Sequence, residues 1–590
     1  MRARDVWLRP LLPLAAGLVL LALVATGCGL APTTAPRASE RWSNGKLVGT
    51  ATLNNQVALR VDELGHGFMV WVGLEHELNF AHLDEQAEIV RQQSLDLDSD
   101  SPLRPQLLLD PTGQMHLTWL DKGGRGLQLF YTRLSTDGAV IHEPIALSLP
   151  EHRAAQSAMV LDPVGRTVEV FWSDNVPTRP GCHHAALDWS GEVVVPAETL
   201  MPDGISPTAQ VDRQGFVHLA WSVEVEAGKP QFHYAVYDPQ RRALGPDIVA
   251  VRPLVQMALL GGPTAGVTFD GPWLGLDERS IYLTWVLEVR ERGNVQDFTF
   301  YQAFPQPTLS QRDLGEAFDY SPPEVTSEAV YVALPGADPS RTTHPQFLAG
   351  HPTNQVLACS TQVYGQAGAE MLQIAKIDVG PEQITGYETV NATRGASLRP
   401  NVAIDPGGDL HLAWIDTAGF NRYQVIYATT SPQAKEVLNR VTTYDVVDKI
   451  LTGVMYVFSS LFFLPLVLFW MLIPMAWLIG FALTQRESEV SDPRGRRTLA
   501  IALLLHMGAQ LVFFPDLLNR FPFGALLPLM WGPFLGRWII PVLLAALSVG
   551  LMWVFLRRGR SQSIFVHYLI FAAIDSFLIL VIYVALPMMG

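Results

Sequence analysis

Cysteine is nearly missing from this chain, with three residues in 590. That excludes a disulfide scaffold and a cysteine-built metal cluster. A chain of this length buries an ample core without crosslinks. Charge is also scarce, at 16% of residues, where ordinary soluble domains hold about a quarter. Positive charge is outnumbered, 41 Lys and Arg against 56 Asp and Glu. A net charge of −15 speaks against nucleic acid as a partner, because phosphate binding needs a basic surface. There is no Gly-rich phosphate loop and no Gly-x-Ser-x-Gly, so no catalytic residue, cofactor or metal is expected from motifs. Long apolar runs are absent from the middle and crowd the two ends. Residues 29–440 hold 28 basic and 48 acidic side chains. The pattern is an acidic polar domain framed by membrane-type segments.

At the N-terminus, Arg2, Arg4 and Arg9 precede an apolar run over 11–25. That is the build of a secretory signal, and it falls short of the roughly 20 residues of a membrane span. It ends in Val24-Ala25-Thr26-Gly27-Cys28. This resembles a bacterial lipobox, and the resemblance implies a signal peptide over 1–28 with lipidation at Cys28. An uncleaved signal anchor would export the chain equally. Residues 29–44, rich in Pro, Thr, Ala and Ser at their start, read as a flexible linker.

A repeat occupies the polar middle. Residues 104–121 (RPQLLLDPTGQMHLTWLD) and 399–416 (RPNVAIDPGGDLHLAWID) are identical at nine of eighteen positions. Residues 206–221 form a third copy, with Asp212, Gly215, His218 and Trp221 in register. Asp62, Gly65 and Trp71 keep the spacing of Asp110, Gly113 and Trp119 and of Asp405, Gly408 and Trp414. Asp162 and Trp172 keep it with one residue inserted, Asp277 and Trp285 with one deleted. Residues 345–361 form a degenerate copy with Cys359 near the Trp place. In each copy an apolar strand meets an Asp-x-x-Gly turn, in which Asp caps its own backbone and Gly supplies φ > 0. An alternating strand carrying Trp follows, then a third ending in an aromatic and a fourth. Four short strands per unit predict a β-propeller over 45–440 with about seven blades, six or eight being the alternatives. Residues 46–52 are candidates for the strand that closes the ring.

The repeat resembles the sialidase-like (BNR, or Asp-box) propeller superfamily in its architecture and its Asp-turn before an aromatic. That family's turn is Ser-x-Asp-x-Gly-x-x-Trp; here the Asp-to-Gly gap is three and no Ser precedes it. The resemblance implies a propeller fold and, as one activity, glycoside hydrolysis of sialidase type.

Residues 441–590 read as an α-helical membrane domain of about four spans, near 453–483, 499–514, 538–556 and 565–587. Arg486, Arg494, Arg496 and Arg497 follow the first span, and Arg557, Arg558 and Arg560 the third. By the positive-inside rule these loops are cytoplasmic and the polar domain faces out. Residues 521–534 hold three prolines and two glycines, and read as an outer interfacial or re-entrant segment.

His506, Gln510 and Asp575 fall inside predicted spans. At about 1.5 Å per residue, His506 and Asp575 lie at similar depth, so they could pair. Intramembrane ionisable groups mark either a proton or ion path or a hydrogen bond that holds helices together. His116, His218 and His411 recur with the repeat, which marks them as structural. So do the turn aspartates. Cys182-His183-His184 carries no metal reading, since neighbours on a strand point to opposite faces. Together these features predict a binding module on the outer face of a bacterial cytoplasmic membrane. Membrane lipid, protein partners in the membrane, and a glycan or peptide ligand are the expected partners. A surface glycoside hydrolase and an ion-linked transport or sensing role are the alternatives.

Overall fold

The turn aspartate organises each repeat. The structure, a computed structural model, describes residues 34–441 apart from one- or two-residue interruptions and the stretches 175–180, 254–265, 310–319 and 365–369. It also describes 453–585, apart from residue 456 and the stretches 486–488, 514–534 and 558–562. The signal segment with Cys28, and residues 521–534, lie outside it. Asp110 Oδ1 accepts the Thr112 and Gln114 amides at 2.8 and 2.9 Å. Asp212 does the same for Gln214 and Phe216 at 2.8 and 2.9 Å. Gly113, Gly215 and Gly408 take φ of 83°, 82° and 87°, where a side chain would be strained.

The other carboxylate oxygen of the same aspartate reaches a histidine. His116 Nε2 lies 3.3 Å from Asp110 Oδ2 and its Nδ1 lies 2.7 Å from the Tyr131 hydroxyl. His218 bridges Asp212 and Tyr234 at 3.4 and 2.7 Å. His411 bridges Asp405 and Tyr427 at 3.4 and 2.6 Å. Through these contacts each histidine ties the turn to the third strand. Burial holds His116 and His411 below the ordinary histidine range. In the neutral ring one nitrogen donates to the aspartate while the other accepts from the tyrosine. Where the histidine is replaced by Tyr282, its hydroxyl donates directly to Asp277 at 2.6 Å.

The hairpins assemble into antiparallel four-stranded sheets. One is Ala58–Val61, Gly67–Val72, Leu78–Leu83 and Ile89–Ser94; the next is Leu103–Leu109, Met115–Gly123, Gly126–Leu134 and Val140–Ala146. A third is Ala154–Asp162, Thr167–Asp174, Gly181–Asp188 and Val193–Pro202. A fourth begins with Ile205–Val211, Val217–Glu226 and Lys229–Asp238. Two further sets, starting at Gly266–Leu276 and Ala337–Phe347, join through one parallel pair, Asp297 with Arg341. The last set is Ser397–Ile404, Leu410–Thr417 and Tyr423–Thr429, completed by Gly45–Ala51 from the far end of the chain. The first strand of each set touches the first strand of the next, and the last returns to Ala58–Val61. Sheets arranged round a common axis and closed by an N-terminal strand are a β-propeller.

The tryptophans sit between sheets, as the repeat requires. Trp71, Trp119, Trp172 and Trp414 are at most 2% exposed. Across the hairpin, Trp119 stacks on Phe130 and Trp285 on Phe300. In the degenerate copy, buried Cys359 lies on the second strand, Gln355–Tyr364. It stands 15 residues after His344, as Trp119 does after Arg104 and Trp414 after Arg399. A short helix, α1 (Pro432–Leu438), ends the polar unit.

A second compact unit contains 441–590. Its helices are α2 (Leu464–Thr484), α3 (Pro493–Phe513), α4 (Ile540–Arg557) and α5 (Ile564–Leu580). A 3-10 turn, Leu461–Phe463, precedes α2, because Pro465 lacks an N–H and its ring would clash with the carbonyl four residues earlier. Among the described residues, three helical stretches are long and apolar enough to cross a membrane: Val467–Thr484, Gly536–Leu556 and Ile564–Val584. Three arginines in the first turn of α3 shorten its apolar part. On α5, Ile564, Tyr568, Phe571, Ala572, Asp575, Ser576 and Ile579 are buried, a stripe at helical period.

Candidate functional sites

The first strands line a cavity of ≈ 1290 Å³ along the propeller axis. Its mouth is built by a bulge that recurs from sheet to sheet. Arg104, Ser206, His344 and Arg399 have φ of 51°, 54°, 53° and 52°, and each precedes a proline. At each of these places the register with the second strand slips. A bulge re-aims side chains, and a non-glycine residue at positive φ stores about 1–3 kcal/mol of strain. Each of Arg104, Ser206 and Arg399 stands six residues before its turn aspartate, as do Gln56 and Gln156. The residues therefore form a level ring.

Just beyond the ring, polar side chains clasp neighbouring sheets. Gln106 donates to the Ser157 carbonyl, Asn401 to the Val57 carbonyl at 3.0 Å, and Thr208 accepts the Leu274 amide at 3.3 Å. Arg104 Nη1 donates to the Ala155 carbonyl at 2.6 Å. Asp270 Oδ1 accepts the Gly271 amide at 3.0 Å. Burial raises the Asp270 carboxyl above its ordinary range, against the pull of Arg104 and Arg399. Burial lowers His344 to about 3, and Arg399 adds to this, so its ring is neutral near pH 7. Arg60 also lines the cavity but stands two residues before its turn aspartate. It is four residues, or about 13 Å, farther along its strand than the level of Arg104 and Arg399. The three arginines do not converge. No tyrosine is among the described lining residues, and Asp270 is the one carboxylate there outside the turns.

Sequence reading identified Arg104 and Arg399 as one repeat position but missed the ring. Its signal was present as X-Pro at 104–105, 206–207, 271–272, 344–345 and 399–400.

Inside the helical unit, the structure brings His506, Gln510 and Asp575 together, all three at most 2% exposed. Gln510 Nε2 donates to Asp575 Oδ2 at 2.6 Å and lies 3.1 Å from His506 Nε2. His506 Nε2 stands 3.3 Å from Asp575 Oδ2. Its Nδ1 is 3.1 Å from the Tyr568 hydroxyl. Ser548 on α4 donates to the Leu544 carbonyl at 2.8 Å and is 3.4 Å from Asp575 Oδ1. Trp470 on α2 donates to Ser576 at 3.3 Å. The His506 ring spans from the Tyr568 hydroxyl to the Gln510 amide and the Asp575 carboxylate. The cluster thus links α3, α4 and α5, with the Trp470 bond adding α2.

The fold places this chain among the β-propellers, joined to a helical unit with candidate membrane spans. No protein-family model and no curated protein matches it. Among solved structures, the polysaccharide lyase Uly1 is similar at 11% identity and a TM-score of 0.41, covering 65% of this chain and 91% of that one. The endo-arabinase from Bacteroides thetaiotaomicron is similar at 11% identity and a TM-score of 0.28, covering 55% and 92%. The Dos1 propeller is similar at 8% identity and a TM-score of 0.34, covering 64% and 82%.

Proposed function

We propose that this chain is a ligand- or protein-binding module, a seven-bladed propeller held on the outer face of a bacterial cytoplasmic membrane. Cys28 carries a lipid, and four spans, with α3 as the second, anchor the C-terminal domain. One span already anchors a protein irreversibly, so four with a buried polar cluster fit a subunit that packs in a larger membrane assembly.

The observation that carries the binding reading is the axial lining. It offers hydrogen-bonding groups on a pre-formed ring, with Asp270 as its one described carboxylate outside the turns. Glycosidases of the usual kind need two carboxylates flanking the bond they cut. A sialidase-type site also needs arginines gathered on one point, and Arg60 stands apart from Arg104 and Arg399. The cavity therefore favours holding a ligand over cleaving one.

The test is purification of the full chain in mild detergent, with identification of what co-purifies. The expected result is a stoichiometric protein or glycan companion that the variant Arg104→Ala/Arg399→Ala retains at least about tenfold less well. Hydrolysis of a sialoside by the wild type, lost in the same variant, would overturn the reading.

A further inference from the structure

Three side chains meet at one end of the third sheet, outside both sites described above. His152 closes the turn from Leu149, its amide donating to the Leu149 carbonyl at 2.9 Å. Asp174 ends the strand Thr167–Asp174, and His183 lies on the neighbouring strand Gly181–Asp188. One potential ligand atom from each lies within 4.8 Å of the other two. Asp174 and His183 are 6% and 8% exposed. His152 is half-buried.

Asp174 Oδ1 accepts the Arg153 amide at 2.9 Å. His183 Nδ1 lies 3.2 Å from the Thr199 hydroxyl. Donation there places the lone pair on Nε2, which faces Asp174 Oδ2 at 4.0 Å. That is beyond hydrogen-bond reach, and wider than the roughly 3.3–3.6 Å between two tetrahedral ligands about 2.0–2.2 Å from one ion, so the two side chains must draw together to share one. His152 Nδ1 is buried and finds no hydrogen-bond partner. The Thr199 contact is the kind that fixes a ligating imidazole's tautomer.

The repeat shows that His152 is the unusual member. His183 pairs with Trp172 across the hairpin, a place filled by Phe130 opposite Trp119, by Phe300 opposite Trp285 and again by a histidine, His233, opposite Trp221. Ser99 bonds Asp121 from 22 residues upstream; His152 stands 22 residues before Asp174. In this sheet a serine place has become histidine, beside one carboxylate and the histidine of the stacking place. His152 and His183 stack with ring centroids 4.2 Å apart. Imidazole lone pairs lie in the ring plane, so ligation requires the His152 ring to turn out of this stack.

We propose that His152, Asp174 and His183 bind one divalent transition-metal ion of the zinc class. Two imidazoles and one carboxylate suit a borderline ion, whereas calcium and magnesium take oxygen ligands. The ion clips the 149–153 turn to the sheet and keeps an open coordination position. This is independent of the axial binding reading.

The experiment uses the full chain in mild detergent, without a polyhistidine tag, stripped with chelator and titrated with Zn²⁺, Co²⁺ and Ca²⁺. The expected result is one equivalent of Zn²⁺ or Co²⁺, a visible Co²⁺ ligand-field spectrum, no Ca²⁺ binding, and a rise in unfolding temperature. His152→Ala and Asp174→Asn should each weaken binding at least about tenfold, and Thr199→Val by about 10–100-fold. The metal-free variants should unfold as cooperatively as the metal-free wild type, which separates lost ligation from lost fold. Absence of stoichiometric binding, or binding by His152→Ala equal to wild type, would overturn the proposal.

Discussion

Trp71→Ala should destabilise the propeller by about 3–5 kcal/mol, the cost of removing a large buried aromatic. Trp71 does more than fill space between sheets. Its indole N–H donates to the Thr50 carbonyl at 3.2 Å. A Cβ at Gly49 would stand 2.4 Å from Trp71 Cζ2, so glycine is what lets the closing strand lie flat on the ring. Both contacts join Gly45–Ala51, strand of the last sheet, to the first sheet. Losing the indole leaves a cavity where the closing strand Gly45–Ala51 lies against the first sheet. Against a total stability of about 5–15 kcal/mol for a domain, the loss should be plain in a urea unfolding curve. Trp71→Phe should cost less, since it keeps part of the ring but not the N–H. A shift below about 1 kcal/mol for Trp71→Ala would mean that the strand is not clamped there.

Asp575→Ala should destabilise the helical unit by about 1–3 kcal/mol, whereas Asp575→Asn should leave it folded. The alanine removes the acceptor of the 2.6 Å bond from Gln510 and leaves buried donors unpaired, which costs about that much per group. Interhelical hydrogen bonds in membranes are weaker in measured cycles, about 0.6 kcal/mol on average. Desolvated donors with no alternative partner should push this site toward the upper end. The asparagine keeps an acceptor oxygen in the same place without the charge. Thermal unfolding in detergent, followed by tryptophan fluorescence, reports the difference, because Trp470 bonds Ser576 beside the site. If Asp575→Asn unfolds like the alanine, the charge itself holds the helices. If it folds but abolishes a proton- or ion-linked activity, the ion-linked alternative takes the place of the structural one.

The parts of this fold that were readable from sequence are those where local chemistry repeats. Asp110, Gly113, His116 and Trp119 each have a physical job set within one hairpin, so the spacing survives in Asp405, Gly408, His411 and Trp414. The bulged ring was harder to see. Arg104, Ser206, His344 and Arg399 share a backbone conformation but no side-chain chemistry, and only the following proline marks them. The buried polar residues of the helical unit could be found because ionisable groups are rare in apolar helices, and helical rise set His506 and Asp575 at matching positions along them. Tyr568 and Ser548 could not, since hydroxyls cost too little in a helix to stand out. His152 and Asp174 were invisible as neighbours of His183. They lie 31 and 9 residues from it and meet only after the sheet has paired.

Closure of the ring depends on the strand Gly45–Ala51, and a designed crosslink tests it most directly. Thr50 and Gln424 are partners across the closing pair, within the Cα separation that a disulfide spans. In Thr50→Cys/Gln424→Cys, trypsin cuts after Lys46, Arg60, Arg422 and Lys435. The account predicts that peptides 47–60 and 423–435 are recovered as one disulfide-linked species in most molecules, and separate on reduction. Recovery of both peptides unlinked, with both new thiols freely alkylated in the folded protein, would contradict the closed ring.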